Sequence, residues 1–574
     1  MNIKKTAAVA VGAGIGAALG KSIKDKKFCP LCAAKKAYSS LFLHTPAGER
    51  YENGTALTPP MGWSSWNTFR NTIDENLIKS TAEAMKKSGL LEAGYRYINL
   101  DDCWQSSLRT PDGKLQGDLT RFPNGIKPLI EELNGEGFKV GLYTSNGTLT
   151  CEDLPASLYN EAVDADTLAE WGVEYFKYDF CHNEPIPSTA PAIYKICLGK
   201  PHEKDFLEIN AEHGTLIRGA KVFKDDRYES GYCVGALCAD NGALLFDTVC
   251  VDESGDYSLT IVFKKGGLKK KFLVLKVNDG KEYDCYFPAS KGFTPDGRLQ
   301  VKIHLEEGVN KLCFYNPIGS RQDSAARQYI NMGKELKRAT KEFAEKNGTE
   351  EKPICYSICE WGLNRPWKWG MKAGNLWRTT MDIKPNWLSV LSIYEFNVRL
   401  YKNAAPGGWN DPDMLEVGVG SLTLEENKTH FSLWCMMAAP LILGNDVRSF
   451  IKPDKTPDMD NKILKILTNK ALIDIDQDVL GKQAKRIKTD GFCDVLAKPL
   501  DGGELALCFF NKTSTQKQMS IDLTRLHNDP YINLPITDYY AVTEVWDNVS
   551  LTLKGEVSGI VPPHGVRVYR IKAK

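Results

Sequence analysis

From about Thr58 the chain alternates short apolar runs with amphipathic stretches, and this rhythm limits its fold more than any other feature. The runs Met61–Trp66, Tyr95–Leu100 (YRYINL), Lys139–Thr144 (KVGLYT) and Glu174–Phe180 (EYFKYDF) read as buried strands. Between them, stretches such as 73–88 (IDENLIKSTAEAMKKS) carry apolar residues at helical spacing. The same pattern resumes at Pro353–Cys359, Trp377–Ile383, Gly407–Met414 and Pro440–Asn445. Eight strand candidates alternating with helices predict an α/β fold, a parallel sheet closed into a (β/α)8 TIM barrel.

The rhythm breaks between about Phe206 and Pro317. There Tyr257, Leu259, Ile261 and Phe263, and later Val301, Ile303 and Leu305, alternate with polar residues. The turn signals Asn278-Asp279-Gly280 and Lys265-Gly266-Gly267 separate these runs, which predicts an all-β sandwich inserted into the barrel. From about Ile473 a second alternating region runs to Lys574 and reads as a C-terminal antiparallel β domain. The division is a signal-like or anchor segment and linker over 1–54, barrel over 55–205 and 318–470, inserted β-sandwich over 206–317, and C-terminal β-sandwich over 471–574. The insert follows Asp179-Phe180-Cys181, at the end of the fourth strand candidate. Active sites of such barrels lie at that end, so the insert is expected to emerge beside the mouth.

Lys+Arg of 73 against Asp+Glu of 72 leaves a net charge of +1, which gives no electrostatic case for a nucleic-acid partner. The eight His show no HExxH or HxH arrangement, and no GxSxG or Gly-rich phosphate loop stands at a strand-to-helix turn. Zinc hydrolase, serine hydrolase and nucleotide-enzyme readings therefore lose ground. At the N-terminus MNIKK precedes an apolar stretch from Thr6 to Gly20 and a basic run to Lys27. This fits export or cell-surface attachment; the alternative is an uncleaved cytoplasmic start, since the stretch holds four glycines and Lys21 follows at once. Cys29 and Cys32 make only half of a zinc knuckle, and no second CxxC follows.

Acidic residues collect at the strand ends: Asp101 and Asp102 after the second, Asp179 at the fourth, Glu360 at the fifth, Asp382 at the sixth, Asp411 and Asp413 at the seventh. Aromatic residues join them, among them Trp66, Tyr143, Trp361 and Trp409. A barrel converges these ends on one mouth, and an aromatic-walled, carboxylate-lined pocket suits glycoside hydrolysis. Each acid also has a plainer reading. A single Asp at a strand end is commonly a helix cap, Asp411-Pro412-Asp413 reads as a turn, and clustered carboxylates can hold magnesium or calcium. Lys177 and Arg378, predicted to approach the same mouth, disfavour a pure cation cage.

The strings PPMGWSSWNTF (Pro59–Phe69), YINLDDCW (Tyr97–Trp104), FKYDFC (Phe176–Cys181), CEWG (Cys359–Gly362), WRTTMDI and GGWNDPDML resemble glycoside hydrolase family 27. That is the family of α-galactosidases and α-N-acetylgalactosaminidases, and the resemblance spans about Thr58 to Asn445 apart from the insert. It implies that Asp179 is the nucleophile and Asp382 the acid/base of a retaining mechanism, with carboxyl groups about 5–5.5 Å apart and Asp382 the one of higher pKa. It further implies sugar contacts from Asp101, Asp102 and Lys177, with Arg378 on the 2-hydroxyl side. Trp66, Tyr143, Trp409 and Met414 would wall the pocket. Glu360 would accept from the 2-hydroxyl and Leu363 would crowd an N-acetyl group, which favours galactose.

The same resemblance implies a disulfide between Cys151 and Cys181 and leaves Cys103 without the partner many relatives carry near 69–71. Terminal α-galactosides of oligosaccharides or glycans are the implied partners, and no cofactor is required. α-N-Acetylgalactosaminidase, β-L-arabinopyranosidase and a non-catalytic galactose-binding protein are the alternatives. The insert resembles carbohydrate-binding modules of families 6 and 35 through NAEHGTL, GYCVGAL, SGDYSLTIVF and VNDGKEY, where Glu212 is a candidate ligand of a structural calcium.

Overall fold

The sheet that organises the chain is built from eight parallel strands: β1 Met61–Ser64, β2 Tyr97–Leu100, β3 Lys139–Ser145, β4 Tyr175–Asp179, β5 Cys355–Ile358, β6 Leu376–Arg378, β7 Trp409–Asp411 and β8 Leu441–Leu443. In this computed structural model, which describes residues 49–239, 241–267, 269–289 and 294–574, they pair in the order β7-β6-β5-β4-β3-β2-β1-β8. The order is cyclic, and its two ends meet where Leu415, just past β7, bridges Leu443 of β8. That contact closes the (β/α)8 barrel. The signal-like N-terminal segment and the Cys29/Cys32 pair lie outside the described residues.

The helices form where the sequence pattern places them. Glu75–Lys87 is capped by Asp74, whose side chain accepts from the Leu77 N–H, and it buries Leu77, Ile78, Thr81, Ala82 and Met85 on one face. Strand alternation then sorts the barrel interior into layers. Tyr175, Cys355, Leu376 and Trp409, the first inward residues of β4 to β7, pack together as a floor, with Tyr97 of β2 against them. Two positions further along each strand stand Lys177, Ser357, Arg378, Asp411 and Asn99, and these line a cavity at the opposite end. One face of each strand thus carries an apolar floor and a polar mouth.

The inserted unit spans 185–325 and has its own core. A five-stranded antiparallel sheet orders Glu282–Phe287, Lys271–Val277, Gly308–Tyr315, Gly242–Val251 and Thr215–Arg218. A second sheet orders Asp296–Leu305, Gly255–Lys264, Ile193–Gly199, Tyr232–Gly235 and Lys221–Lys224, with Leu207–Asn210 pairing Ile193–Gly199. The alternating residues Tyr257, Leu259, Ile261, Phe263, Ile303 and Leu305 all face the core between the sheets. The boundary differs from the expected 206: Ile193–Gly199 pairs antiparallel with Gly255–Lys264 and so belongs to this sandwich, not to the barrel.

The chain leaves and re-enters the barrel at one place. Asn183 Nδ2 donates to Gln328 Oε1 at 3.1 Å, and Gln328 Nε2 donates to the Glu184 carbonyl at 2.8 Å. Helix Arg321–Asn347 continues from there. The C-terminal β domain begins with Lys485–Thr489, later than the expected 471, because Lys470–Asp476 is a helix. Its six-stranded and two-stranded sheets enclose a core that includes Leu507, Phe509, Val542, Val561 and Ile571.

Candidate active site

The strand β4, Tyr-Phe-Lys-Tyr-Asp, turns Tyr175, Lys177 and Asp179 to one side and rises from floor to mouth. The Lys177 ammonium lies 2.8 Å from Asp101 Oδ2 at the top of β2 and 4.0 Å from Asp179 Oδ2. It also stands over the Tyr143 ring, 5.1 Å from its centroid, because β3 places Tyr143 beside Lys177 in the sheet. Burial opposes the Lys177 charge, yet Asp101 and Asp179 hold its pKa well above the ordinary lysine range. Gly141 keeps the neighbouring position open: a Cβ there would collide with the Asn99 side chain, which lines the cavity.

Asp179 is buried, and burial raises its pKa while Lys177 opposes the shift. Its backbone is fixed from several sides. Its Oδ1 accepts the Phe180 N–H at 2.8 Å, and its carbonyl accepts from Asn146 N at 2.8 Å and from Tyr329 Oη at 2.9 Å. The disulfide Cys151–Cys181 joins the loops that follow β3 and β4, as the resemblance implies. Ser145 Oγ donates to the Cys181 carbonyl at 2.7 Å, which ties the same two loops beneath it. Cys103 is a buried free thiol, pushed up to about 12 by burial and the Asp102 charge.

Across the mouth, Arg378 is the hub. Its Nη2 lies 2.8 Å from Asp382 Oδ1 and 2.8 Å from Asp413 Oδ2, and its Nη1 reaches Cys359 Sγ at 3.8 Å. Asp382 is 65% exposed in its side chain. What burial it has pushes the carboxyl up, but Arg378 outweighs this and the pKa falls below the ordinary Asp value. Asp179 is raised and Asp382 lowered, so the expected ordering is reversed in the free protein. The physical reason is the Arg378 ion pair, which favours the ionised form of Asp382.

Asp413, read from sequence as part of a turn, is buried and held by several contacts, among them the Trp434 indole N–H donated to its carbonyl at 2.8 Å. It accepts from Ile383 N at 2.8 Å and Met414 N at 2.7 Å, donates its own N–H to Asp411 Oδ1 at 2.8 Å, and pairs with Arg378. Burial pushes its carboxyl up to about 6 against the pull of Arg378. Its backbone φ of 85° lies in the left-handed region, so the turn chemistry is real but serves to aim the carboxyl at the arginine. Asn99 and Ser357 also line the cavity and were not singled out from sequence. Their signal was available, since each lies two residues before an expected site residue or strand end.

The structure brings Asp101, Tyr143, Lys177, Arg378 and Met414 to the cavity wall. It does not bring Trp409 there. Trp409 is fully buried in the barrel floor, with its indole N–H donated to the Ala56 carbonyl at 2.7 Å. It sits at the start of β7, two residues below Asp411, and so faces the interior at the wrong end. Asp102 is buried with Oδ1 and Oδ2 accepting from Cys103 N and Glu152 N at 2.8 and 3.0 Å, and burial with the Asp101 charge pushes it up to about 6. It braces the disulfide-bearing loop and is not a cavity wall.

Glu360 is fully buried and pushed up to about 8, and both its oxygens accept from Asn364 at 2.8–3.1 Å. It is held by the Asn364 loop and does not line the cavity. Leu363 is 60% exposed in the turn after β5, and Trp66 is half-buried beyond Ser64 of β1. In the insert, Glu212 Oε2 is buried without a hydrogen-bond partner. Among the described residues, the metal-type cluster of three donors is Cys151, Asp179 and Cys181, and both sulfurs are spent on the disulfide, so this donor set does not fit a metal.

The family model described as Alpha galactosidase A matches residues 58–196 and 299–478, and that of the Alpha galactosidase C-terminal beta sandwich domain matches 490–571. The skipped segment falls within the inserted sandwich. Alpha-galactosidase 2 of Arabidopsis thaliana is 30% identical over 521 residues, 90% of each chain. An alpha-galactosidase of Coffea arabica is 31% identical over 519 residues, covering 90% of this chain and 94% of that one. Among solved structures, alpha-galactosidase I from Mortierella vinacea superposes with a TM-score of 0.61 at 26% identity, covering 91% of this chain and 99% of that one. The motif-bearing strand ends, the barrel they close and these matches across both barrel segments and the C-terminal domain agree: the chain belongs to glycoside hydrolase family 27.

Proposed function

We propose that this glycoside hydrolase is a retaining, exo-acting α-galactosidase that removes terminal α-linked galactose from oligosaccharides or glycoconjugates. The observation that carries the reading is the pairing of each catalytic carboxylate with its own cation across one mouth. Asp179 lies beside Lys177, Asp382 beside Arg378, and each carboxylate also feels the other's cation. In the first step Asp179 attacks the anomeric carbon, the glycosidic bond breaks, and the leaving oxygen takes a proton from Asp382. In the second, Asp382 takes a proton from water as it attacks that carbon, Asp179 is released, and galactose leaves with the α configuration.

The free protein holds Asp382 ionised through Arg378, so the substrate must change its balance. A sugar seated in the mouth strips water from Asp382, which raises its pKa, while hydroxyl donors to Asp179 lower the nucleophile's. Galactose is preferred because Leu363 follows Glu360 where an N-acetyl group would need space. Asp101 and Lys177 form an acceptor–donor pair for adjacent hydroxyls. The fold alone does not choose the sugar, since a β-L-arabinopyranosidase of family 27 from Geobacillus stearothermophilus superposes at 16% identity with a TM-score of 0.55.

The test is hydrolysis of p-nitrophenyl α-galactoside beside its α-N-acetylgalactosaminide and β-L-arabinopyranoside, with NMR following the first-formed anomer. Preferential turnover of the galactoside with α-galactose released first is the expected result. First release of the β anomer would overturn the mechanism, and preference for either other sugar would overturn the substrate.

A further inference from the structure

The mouth has a leaving-group side, marked by the proton donor Asp382, and the described walls of the sugar cavity leave that side to other residues. One of them is Arg70. It ends the short helix Trp66–Phe69 that follows β1, with its N–H donated to the Trp66 carbonyl. Its guanidinium stands over the Trp66 indole, 5.9 Å from the ring centroid. Among the described residues Arg70 has no hydrogen-bonded or ion-paired side-chain partner, although its charge acts on both Asp382 and Glu416. It is exposed, whereas the other cations that act on Asp382, Arg378 and Lys177, are committed to carboxylates.

The backbone at Arg70 adds a second observation. Its φ of 47° with ψ of −123° is a conformation that glycine adopts freely and a long side chain does not. A glycine would relax this turn, yet an arginine occupies it and projects a free cation above an aromatic platform.

We propose that Arg70, held over the Trp66 indole, forms an aglycone subsite that selects substrates whose leaving group carries an anion. This rests on the α-galactosidase reading and deepens it. The indole carries the guanidinium by cation–π contact, and the guanidinium pairs with a carboxylate or sulfate on the first ring beyond galactose. The pairing also feeds the chemistry. Arg378, Lys177 and Arg70 each hold Asp382 ionised. An anion that neutralises Arg70 removes one of the three cations and returns the proton that Asp382 must donate.

The experiment compares kcat/KM on phenyl, carboxyphenyl and sulfophenyl α-galactosides for the full-length protein, Arg70→Gln and Arg70→Lys. Taking ratios to the wild type cancels the intrinsic leaving-group differences. The expected result is a fall of about fivefold in the anionic-to-neutral ratio in Arg70→Gln, recovered in Arg70→Lys and erased in the wild type by roughly 0.5 M salt. Loss for the carboxylate alone assigns uronic-acid aglycones, and loss for the sulfonate alone assigns sulfated ones. Equal ratios in wild type and Arg70→Gln, with both proteins folded by thermal melting, overturn the proposal. No turnover of the phenyl galactoside by the wild type would instead overturn the α-galactosidase reading. A second readout is the basic limb of kcat/KM on the neutral substrate, which moves to higher pH in Arg70→Gln; a limb that stays in place would overturn the coupling to Asp382.

Discussion

Asp413→Asn tests whether the arginine hub sets the charge of the proton donor. Asp382 and Asp413 each lie 2.8 Å from the same Arg378 nitrogen, so their nearest oxygens are at most twice that distance apart. At an effective dielectric of about 20, two unit charges at that spacing repel by about 3 kcal/mol. Asp382 is 65% exposed, so solvent screens most of this, and about 1 kcal/mol is a reasonable remainder. Removing the Asp413 charge therefore favours the ionised form of Asp382 by that amount. Above about 6, where Asp413 carries its charge, less of the enzyme then holds the proton at a given pH, and a basic limb of kcat/KM in that range moves down by roughly 0.7 on the pH scale. The assay is a kcat/KM profile on p-nitrophenyl α-galactoside across the acid and neutral range, with melting curves to show that both proteins are folded. An unmoved limb, or one displaced upward, would refute the argument that Asp413 and Asp382 compete for Arg378. The substituted side chain keeps only one acceptor for the Ile383 and Met414 N–H groups, so a stability loss of about 1–3 kcal/mol should accompany the shift.

Asp179→Asn should leave the melting temperature near the wild-type value and cut turnover by on the order of 10³–10⁴-fold, and retained activity would remove the nucleophile assignment. For the wild type, the basic limb of kcat should lie at higher pH than that of kcat/KM, because only the occupied site shields Asp382 from water; coincident limbs would contradict this. Trp409→Ala should cost about 3–5 kcal/mol in a denaturant melt, since it empties the barrel floor, whereas a raised KM at unchanged stability would return Trp409 to the pocket. Replacing Cys151 and Cys181 by serine opens a loop of 30 residues and should cost about 3–4 kcal/mol on the chain-entropy account, checked by the same melt.

The barrel was legible because each strand and helix announces itself locally, by an apolar run or by a spacing of three and four. What escaped were properties that belong to pairs of distant residues. Trp409 and Asp411 share one face of one strand, and only the barrel's direction decides that the first is floor and the second mouth. Asp413 looked like a turn because its neighbours Asp411 and Pro412 are turn formers; its buried contact to Arg378 is set by the closure of the sheet. Ile193–Gly199 was counted with the barrel since its partner strand, Gly255–Lys264, lies far along the chain. The charge order of Asp179 and Asp382 failed for a similar reason: it is decided by how deeply the fold buries each one and by how closely Arg378 pairs with Asp382, and not by the residue type. The proposed catalytic pair, Asp179 and Asp382, was named from motifs in order along the chain, whose strand ends the fold then gathers.

The hydrogen bond from Tyr329 to the Asp179 carbonyl spans 150 positions of sequence. For a ribosome that interval is time. At about 5–20 residues per second, roughly 8–30 s separate synthesis of Asp179 from synthesis of the tyrosine that seats it. During this wait the first four βα units have no partner for the free edge of β4, whereas the sandwich, whose sheets pair within 193–315, can complete itself as it emerges. The nascent enzyme thus carries a half-built barrel and a finished β-sandwich at the same moment, and the chemistry is assembled only when the second half of the chain arrives.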